Sequence, residues 1–192
     1  MAGAPARDGV VSTRDSILRA TLKVVGEVGV GGLTNRRIVA AAGVSLGTLT
    51  YHFPSQTELL REAMLLFAEA ETAKLTAIVD AHRADGLNLE QGAVVVEQVI
   101  KQLPFGTDEL APHELYLQAA RDPALREASS RCFAAYDDLA IAILRALGVA
   151  EPERLAGHVV ALIAGLQLRR FSTGVDVPAA EPLMMLLRGA QV

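Results

Sequence analysis

Between Leu33 and Glu58, start and stop signals fall so close together that only two short helices joined by a tight turn fit. Thr34 is an N-cap residue, because its hydroxyl accepts from a free amide of the first helical turn. Ile38, Ala41 and Ala42 then form an apolar stripe at helical spacing. Gly43 ends that helix where a left-handed residue costs least. Two residues later Ser45 caps a second helix, Leu46 to about His52, which Pro54 helps to end. Helix, glycine-containing turn and helix make a helix-turn-helix. In such a unit the second helix lies in the major groove of DNA.

The flanking sequence supplies a support for this corner. Ser12 and Asp15 have capping-box spacing and open a helix to about Val28. Its positions Ile17, Leu18, Thr21, Leu22, Val24, Val25 and Val28 repeat as one buried face. After the Gly29–Gly32 turn, Ile17, Val25, Ile38, Val44, Leu49 and Phe53 form a small three-helix core. Ser55 and Glu58 form a second capping box, opening a long connector to about Arg83. Further helices are expected over about 89–103, from Pro112 to Arg121, from Asp122–Pro123 to Leu147, over about 153–171 and over about 179–188, with turns at 85–88 and 104–108. No alternating strand pattern or repeat occurs, so the expected fold is all-α: a three-helix N-terminal domain followed by a C-terminal helical bundle. The expected divisions are a disordered arm over 1–11, a DNA-binding domain over 12–54 and a ligand-binding and dimerisation domain over 55–192.

The net charge of −4 argues against a nucleic-acid partner until the chain is split. Residues 1–60 carry six Lys/Arg against four acids, or +2, and the remainder carries twelve against eighteen, or −6. That asymmetry fits a DNA-binding head on an acidic body. One cysteine, Cys132, excludes an internal disulfide and a cysteine-cluster zinc site. The N-terminus lacks a signal-peptide core, and the nearly apolar run 155–168 falls short of the ~20 residues of a membrane span. A cytoplasmic protein with no membrane association is expected.

Within the motif, the exposed N-terminal residues of the second helix, Leu46, Gly47 and Thr48, are placed to reach base edges. Gly47 permits close approach, and Thr48 offers a hydroxyl and a methyl group. Thr50, Tyr51 and His52 lie a turn further on, where phosphate contacts fix register. Arg36 is the clearest charge contact, and Thr34 and Ser45 present the two helix starts. Leu49 and Phe53 belong to the core, and His52 has packing or solvation as its alternative.

The string Thr34-x-Arg36-x-Ile38-x-x-Ala41-Ala42-Gly43-Val44-Ser45-x-Gly47-x-Leu49-x-x-His52-Phe53-x-Ser55-x-x-x-Leu59-Leu60 resembles the DNA-binding signature of the tetracycline-repressor (TetR) family over about the first 65 residues. Beyond it, chain length and helical organisation agree. Two positions depart from the family pattern: Thr50 stands where relatives usually carry a phosphate-contacting Tyr, and Gln56 where they usually carry a Lys. Tyr51 points about 100° away from residue 50, so its substitution for that contact is open. Loss of the Lys charge predicts weaker and less salt-sensitive binding than the family norm.

The resemblance implies a homodimer on a palindromic operator, released by a small-molecule effector in the C-terminal body. Polar and aromatic candidates for the pocket are Gln98, Gln102, Tyr116, Phe133, Tyr136 and His158. No inward charge cluster is evident, so an apolar or mildly polar effector is expected. The helix over 153–171 is apolar nearly all round, which requires cover on a second side. With the last helix it is expected to form a two-fold interface through Gly157, Val160, Ala161, Ala164, Gly165, Leu168, Leu183, Met184 and Leu187. No phosphate loop, metal spacing or nucleophile elbow occurs, so neither enzyme activity, nor a metal, nor a cofactor is expected. Two other readings stay open: a constitutive regulator without effector, and a helical ligand-binding or interaction protein with weak or lost DNA binding.

Overall fold

The computed structural model describes residues 12–83, 88–102 and 107–189. The expected arm over 1–11, most of the 85–88 turn and the first part of the 104–108 loop lie outside the described residues. Among those described, the long elements are α-helices: α1 (Thr13–Val28), α2 (Asn35–Ala42), α3 (Leu46–His52), α4 (Gln56–Arg83), α5 (Leu89–Gln102), α6 (Thr107–Ala119), α7 (Pro123–Ala146), α8 (Pro152–Thr173) and α9 (Ala180–Gly189). A single 3₁₀ turn, Val30–Gly32, links α1 to α2.

The helix starts lie where side-chain oxygens satisfy free amides. Ser12 accepts from the Asp15 amide at 3.0 Å, and Thr34 accepts from Arg37 at 3.3 Å. Ser45 accepts from Thr48 at 3.0 Å, and Ser55 from Glu58 at 3.1 Å. Asn88 and Gln91 cap each other reciprocally at 2.9 Å. Gly43 adopts the left-handed conformation, φ 66°, that the sharp α2–α3 corner requires.

Two hydrophobic cores follow. In the first, Ile17, Val25, Ile38, Leu49 and Phe53 join Leu59, Ala63 and Met64 of α4, Ala111 and Leu115 of α6, and Leu125, Ala128 and Cys132 of α7. Val44 is partly buried at its edge. The packing therefore continues across residue 54 and ties the helix-turn-helix to α6 and α7. Arg14 reinforces the α1–α4 contact: its guanidinium pairs with Glu62 at 2.7 Å and lies 5.2 Å from the Phe53 ring centre. The second core combines Leu144, Val149, Leu155, Val159, Ala179, Leu183 and Leu187. Glu97 of α5 accepts from the Ala179 and Ala180 amides at 3.1 and 2.8 Å, fixing the start of α9.

Two expectations are corrected here. Pro112 does not open α6 but lies inside it, since the helix begins at Thr107 and ends at Ala119. An interior proline costs about 3 kcal/mol or more. Burial of Ala111, Leu115 and Ala119 against the first core opposes that cost and keeps the helix continuous through the proline. The expected interface residues also divide. Leu183 and Leu187, one turn apart, are 3% and 4% exposed inside the protomer, with Met184 half-buried. Val160 and Ala164 face an internal cavity. Only Gly157, Ala161, Gly165 and Leu168 lie on the outer side of α8. The cause is that α9 closes the second core with its Leu183/Leu187 face, leaving Met185 outward and 70% exposed.

Candidate functional site

On the helix-turn-helix face the described surface carries no acidic residue between Leu33 and Thr57. Thr34, Arg36, Ser45, Leu46, Gly47, Thr50, Tyr51 and Gln56 are exposed, while Thr48 and His52 are partly buried. Leu46 is 54% exposed and Tyr51 85%, unusual for an apolar and an aromatic side chain with no folding role. A methyl group placed on Gly47 would meet only the Ser45 Oγ, at 3.7 Å, so the helix surface there is open to close approach.

Several polar groups are already engaged. Ser45 Oγ and Thr48 Oγ1 lie 2.9 Å apart, which orients the Thr48 side chain over the helix start. The Thr50 hydroxyl donates back to the Leu46 and Gly47 carbonyls at 3.1 and 3.2 Å. Gln56 Nε2 donates a long bond of 3.5 Å to the Leu33 carbonyl. Arg37 Nη1 donates to the Gly32 carbonyl at 2.6 Å and so braces the 3₁₀ turn. Tyr51 packs edge-on to His52, with centroids 5.3 Å apart, and His52 in turn lies against Phe53.

The second site is a cavity of about 340 Å³ between α4, α5, α6, α7, α8 and α9. Of the pocket candidates, Tyr116, Phe133 and Tyr136 line it. Gln98 is exposed and outside the lining, and the Gln102 side chain lies outside the described residues. His158 is also outside: it faces outward from α8, with Nδ1 3.1 Å from the Arg154 carbonyl. With Gly157 and Ala161 it lines an open groove between α7 and α8.

Sequence reasoning missed His113, Glu71, Gln167 and Phe171. His113 follows the proline at which a helix start was expected, and the longer α6 carries it into the cavity wall, 4.9 Å from the Phe171 ring and 6.4 Å from Tyr116. Tyr116 and Phe133 centroids lie 5.0 Å apart, and Phe133 and Tyr136 6.4 Å, so five rings form a continuous wall. Glu71 was recoverable in principle: Phe67, Glu71, Leu75 and Ile78 share one helical stripe, with an acid interrupting three apolar residues.

Burial governs the ionisation of this wall. It lowers the His113 pKa, favouring the neutral ring. It raises the Tyr116 and Tyr136 phenols well above their ordinary range, and each is close enough to affect the other. In the first core, outside the lining, burial pushes the Cys132 thiol up to about 11, so this cysteine stays protonated at neutral pH. The buried Tyr116 hydroxyl makes no hydrogen bond of good geometry among the described residues.

A capped recognition-type helix on a three-helix head, joined through a shared core to a helical body with a cavity, defines a helix-turn-helix regulator. Residues 17–63 match the description "Bacterial regulatory proteins, tetR family", and residues 87–190 match "Tetracyclin repressor-like, C-terminal domain". The chain belongs to the TetR family of DNA-binding transcriptional regulators, which are not enzymes. It is 31% identical to the regulator CymR of Pseudomonas putida over 124 residues, 63% of this chain and 58% of that protein. It is 28% identical to the regulator BetI of Serratia proteamaculans over 182 residues, 90% and 87% of the two chains. The solved structure of the multidrug binding protein EbrR with ethidium superposes with a TM-score of 0.73 at 28% identity, covering 92% of this chain and 99% of that one. No helix among the described residues is long and apolar enough to cross a membrane.

Proposed function

We propose that the protein is a homodimeric repressor that holds a palindromic operator and releases it when a small molecule occupies the cavity. The observation that carries this reading is the shared core: α4 and α6 line the cavity and also pack against the helix-turn-helix. A ligand that moves α6 therefore moves α1, and with it the angle at which α3 is presented. EbrR, similar over nearly its whole length, is a multidrug binding protein solved with imidazole, ethidium, malachite green and proflavin.

In this reading Arg36 contacts phosphate, Leu46, Gly47 and Thr48 meet base edges, and Tyr51 and His52 fix the register. Thr34, Ser45, Thr50 and Gln56 contribute the polar rim. The outer face of α8, with Gly157, Ala161, Gly165 and Leu168, meets its counterpart in a two-fold contact where the small residues permit close helix approach. The protein acts in the cytoplasm, where its operator is.

One observation favours a variant of this reading. The Thr50 hydroxyl and the Gln56 amide are turned to their own backbone, so neither replaces a Tyr or Lys phosphate contact without rearranging. Operator binding weaker than that of relatives with Tyr and Lys follows.

The test is reciprocal coupling. A compound bound in the cavity must lower operator affinity, and the operator must lower affinity for the compound by the same factor. Cavity binding with no change in operator affinity would contradict effector release.

A further inference from the structure

We propose that the cavity is built to take a planar aromatic cation, with the Glu71 carboxylate as its charge partner and the ring wall as its stacking surface. This rests on the cavity being the effector site and specifies what enters it. The lining holds one carboxylate, Glu71, and no Lys or Arg among the described residues. His113, desolvated by burial, favours its neutral form and adds a further ring rather than a cation.

Among the described residues the lining therefore carries one acidic side chain and no basic one. An anion placed there meets uncompensated repulsion, and a neutral ligand leaves the carboxylate without a partner. Lys74 does not meet this need. Its ammonium lies 3.9 Å from the Glu71 carboxylate, at the outer limit of an ion pair, and its side chain is 49% exposed against 17% for Glu71. Such a solvent-screened pair is weak and can be displaced.

The remaining wall suits the same ligand. Tyr116, Phe133, Tyr136 and Phe171 line the cavity, and the quadrupole of an aromatic ring attracts a delocalised cation. The buried Tyr116 hydroxyl, beside that of Tyr136, adds a polar group to the wall. The cavity volume falls within the range of roughly 300–1,000 Å³ that holds drug-sized ligands, at the end suited to a two- or three-ring compound.

The experiment titrates the full-length protein, by ligand fluorescence, with three probes of one shape: N-methylacridinium, neutral N-methylacridone and acridine carboxylate. The expected order is cation, then neutral, then anion. Glu71→Gln keeps the shape and removes the charge. It should cut affinity for the cation by about tenfold or more, while leaving the neutral probe within about twofold. Retained acridone binding shows that the variant is folded. Acridone binding as tight as acridinium, unchanged by Glu71→Gln, overturns the cation assignment but leaves the cavity as an effector site. Failure of all three probes to bind the wild-type protein overturns the assignment together with the effector-site reading.

Discussion

Arg36 and Arg37 are adjacent in sequence and have separate tasks. Arg37 is committed to the Gly32 carbonyl, whereas Arg36 stands exposed on the acid-free face. Arg36→Ala is expected to weaken binding to all DNA sequences alike and to reduce the slope of log affinity against log salt by about 1. An unchanged slope would remove Arg36 from the phosphate contacts. His113 carries a different prediction. Its pKa is lowered in the folded state, so as pH falls through about 6.5 the unfolded chain takes up a proton that the folded chain resists. Stability due to this residue is thus full at neutral pH, declines below about 6.5 and levels off once pH passes the folded pKa. His113→Gln should flatten that part of the melting-temperature profile; an identical profile would place the ring in water. At this scale the caps were legible because N-capping is local chemistry, readable from three or four residues. The ring wall was legible only in part: Tyr116, Phe133 and Tyr136 stood out on apolar helices, whereas His113 and Phe171 did not, because which side of a helix faces a cavity depends on partners far away in the chain.

Among the elements, α6 packs against both α1 of the head and α7 of the body. Leu115 is fully buried in the core shared with α1, and a single truncation there opens a void that neither helix can fill alone. Leu115→Ala is expected to cost about 2–5 kcal/mol of unfolding free energy. Because the core is common, the head and body should still unfold in one transition, measured by denaturant titration with separate probes on each. Two separated transitions would show that the core is not shared. The extent of α6 was the least readable feature of the fold. Pro112 is a valid helix start by local rules, and only the buried contacts of Ala111 and Leu115 keep the helix intact through it. By contrast, α1 to α4 were readable to within a residue or two, since each begins at a Ser or Thr cap and follows a clear apolar period.

At the scale of the whole molecule, the proposed dimer couples the outer face of α8 to the head. A Cβ added at Gly165 meets nothing within 4 Å in the protomer and the position is exposed, so Gly165→Arg is expected to leave the fold unstrained while obstructing a second copy. It should convert a dimer to a monomer by light scattering and abolish tight operator binding while the melting temperature of the protomer persists. A variant that stays dimeric would move the interface elsewhere. The helical architecture and the presence of a DNA head were legible because amphipathic period and the Thr34–Leu60 string are properties of contiguous sequence. The division of α8 and α9 between core and surface was not. Apolar residues on every side of a helix say that it is covered, without saying by what, and Leu183 and Leu187 proved to be covered from within. The direct test of the account is a titration of the purified protein against DNA from around its own gene at two salt concentrations. Saturable, salt-sensitive binding to one palindrome with half-sites ~34–36 Å, one helical turn, apart is the expected result. Weak binding, equal for every sequence offered, would contradict it.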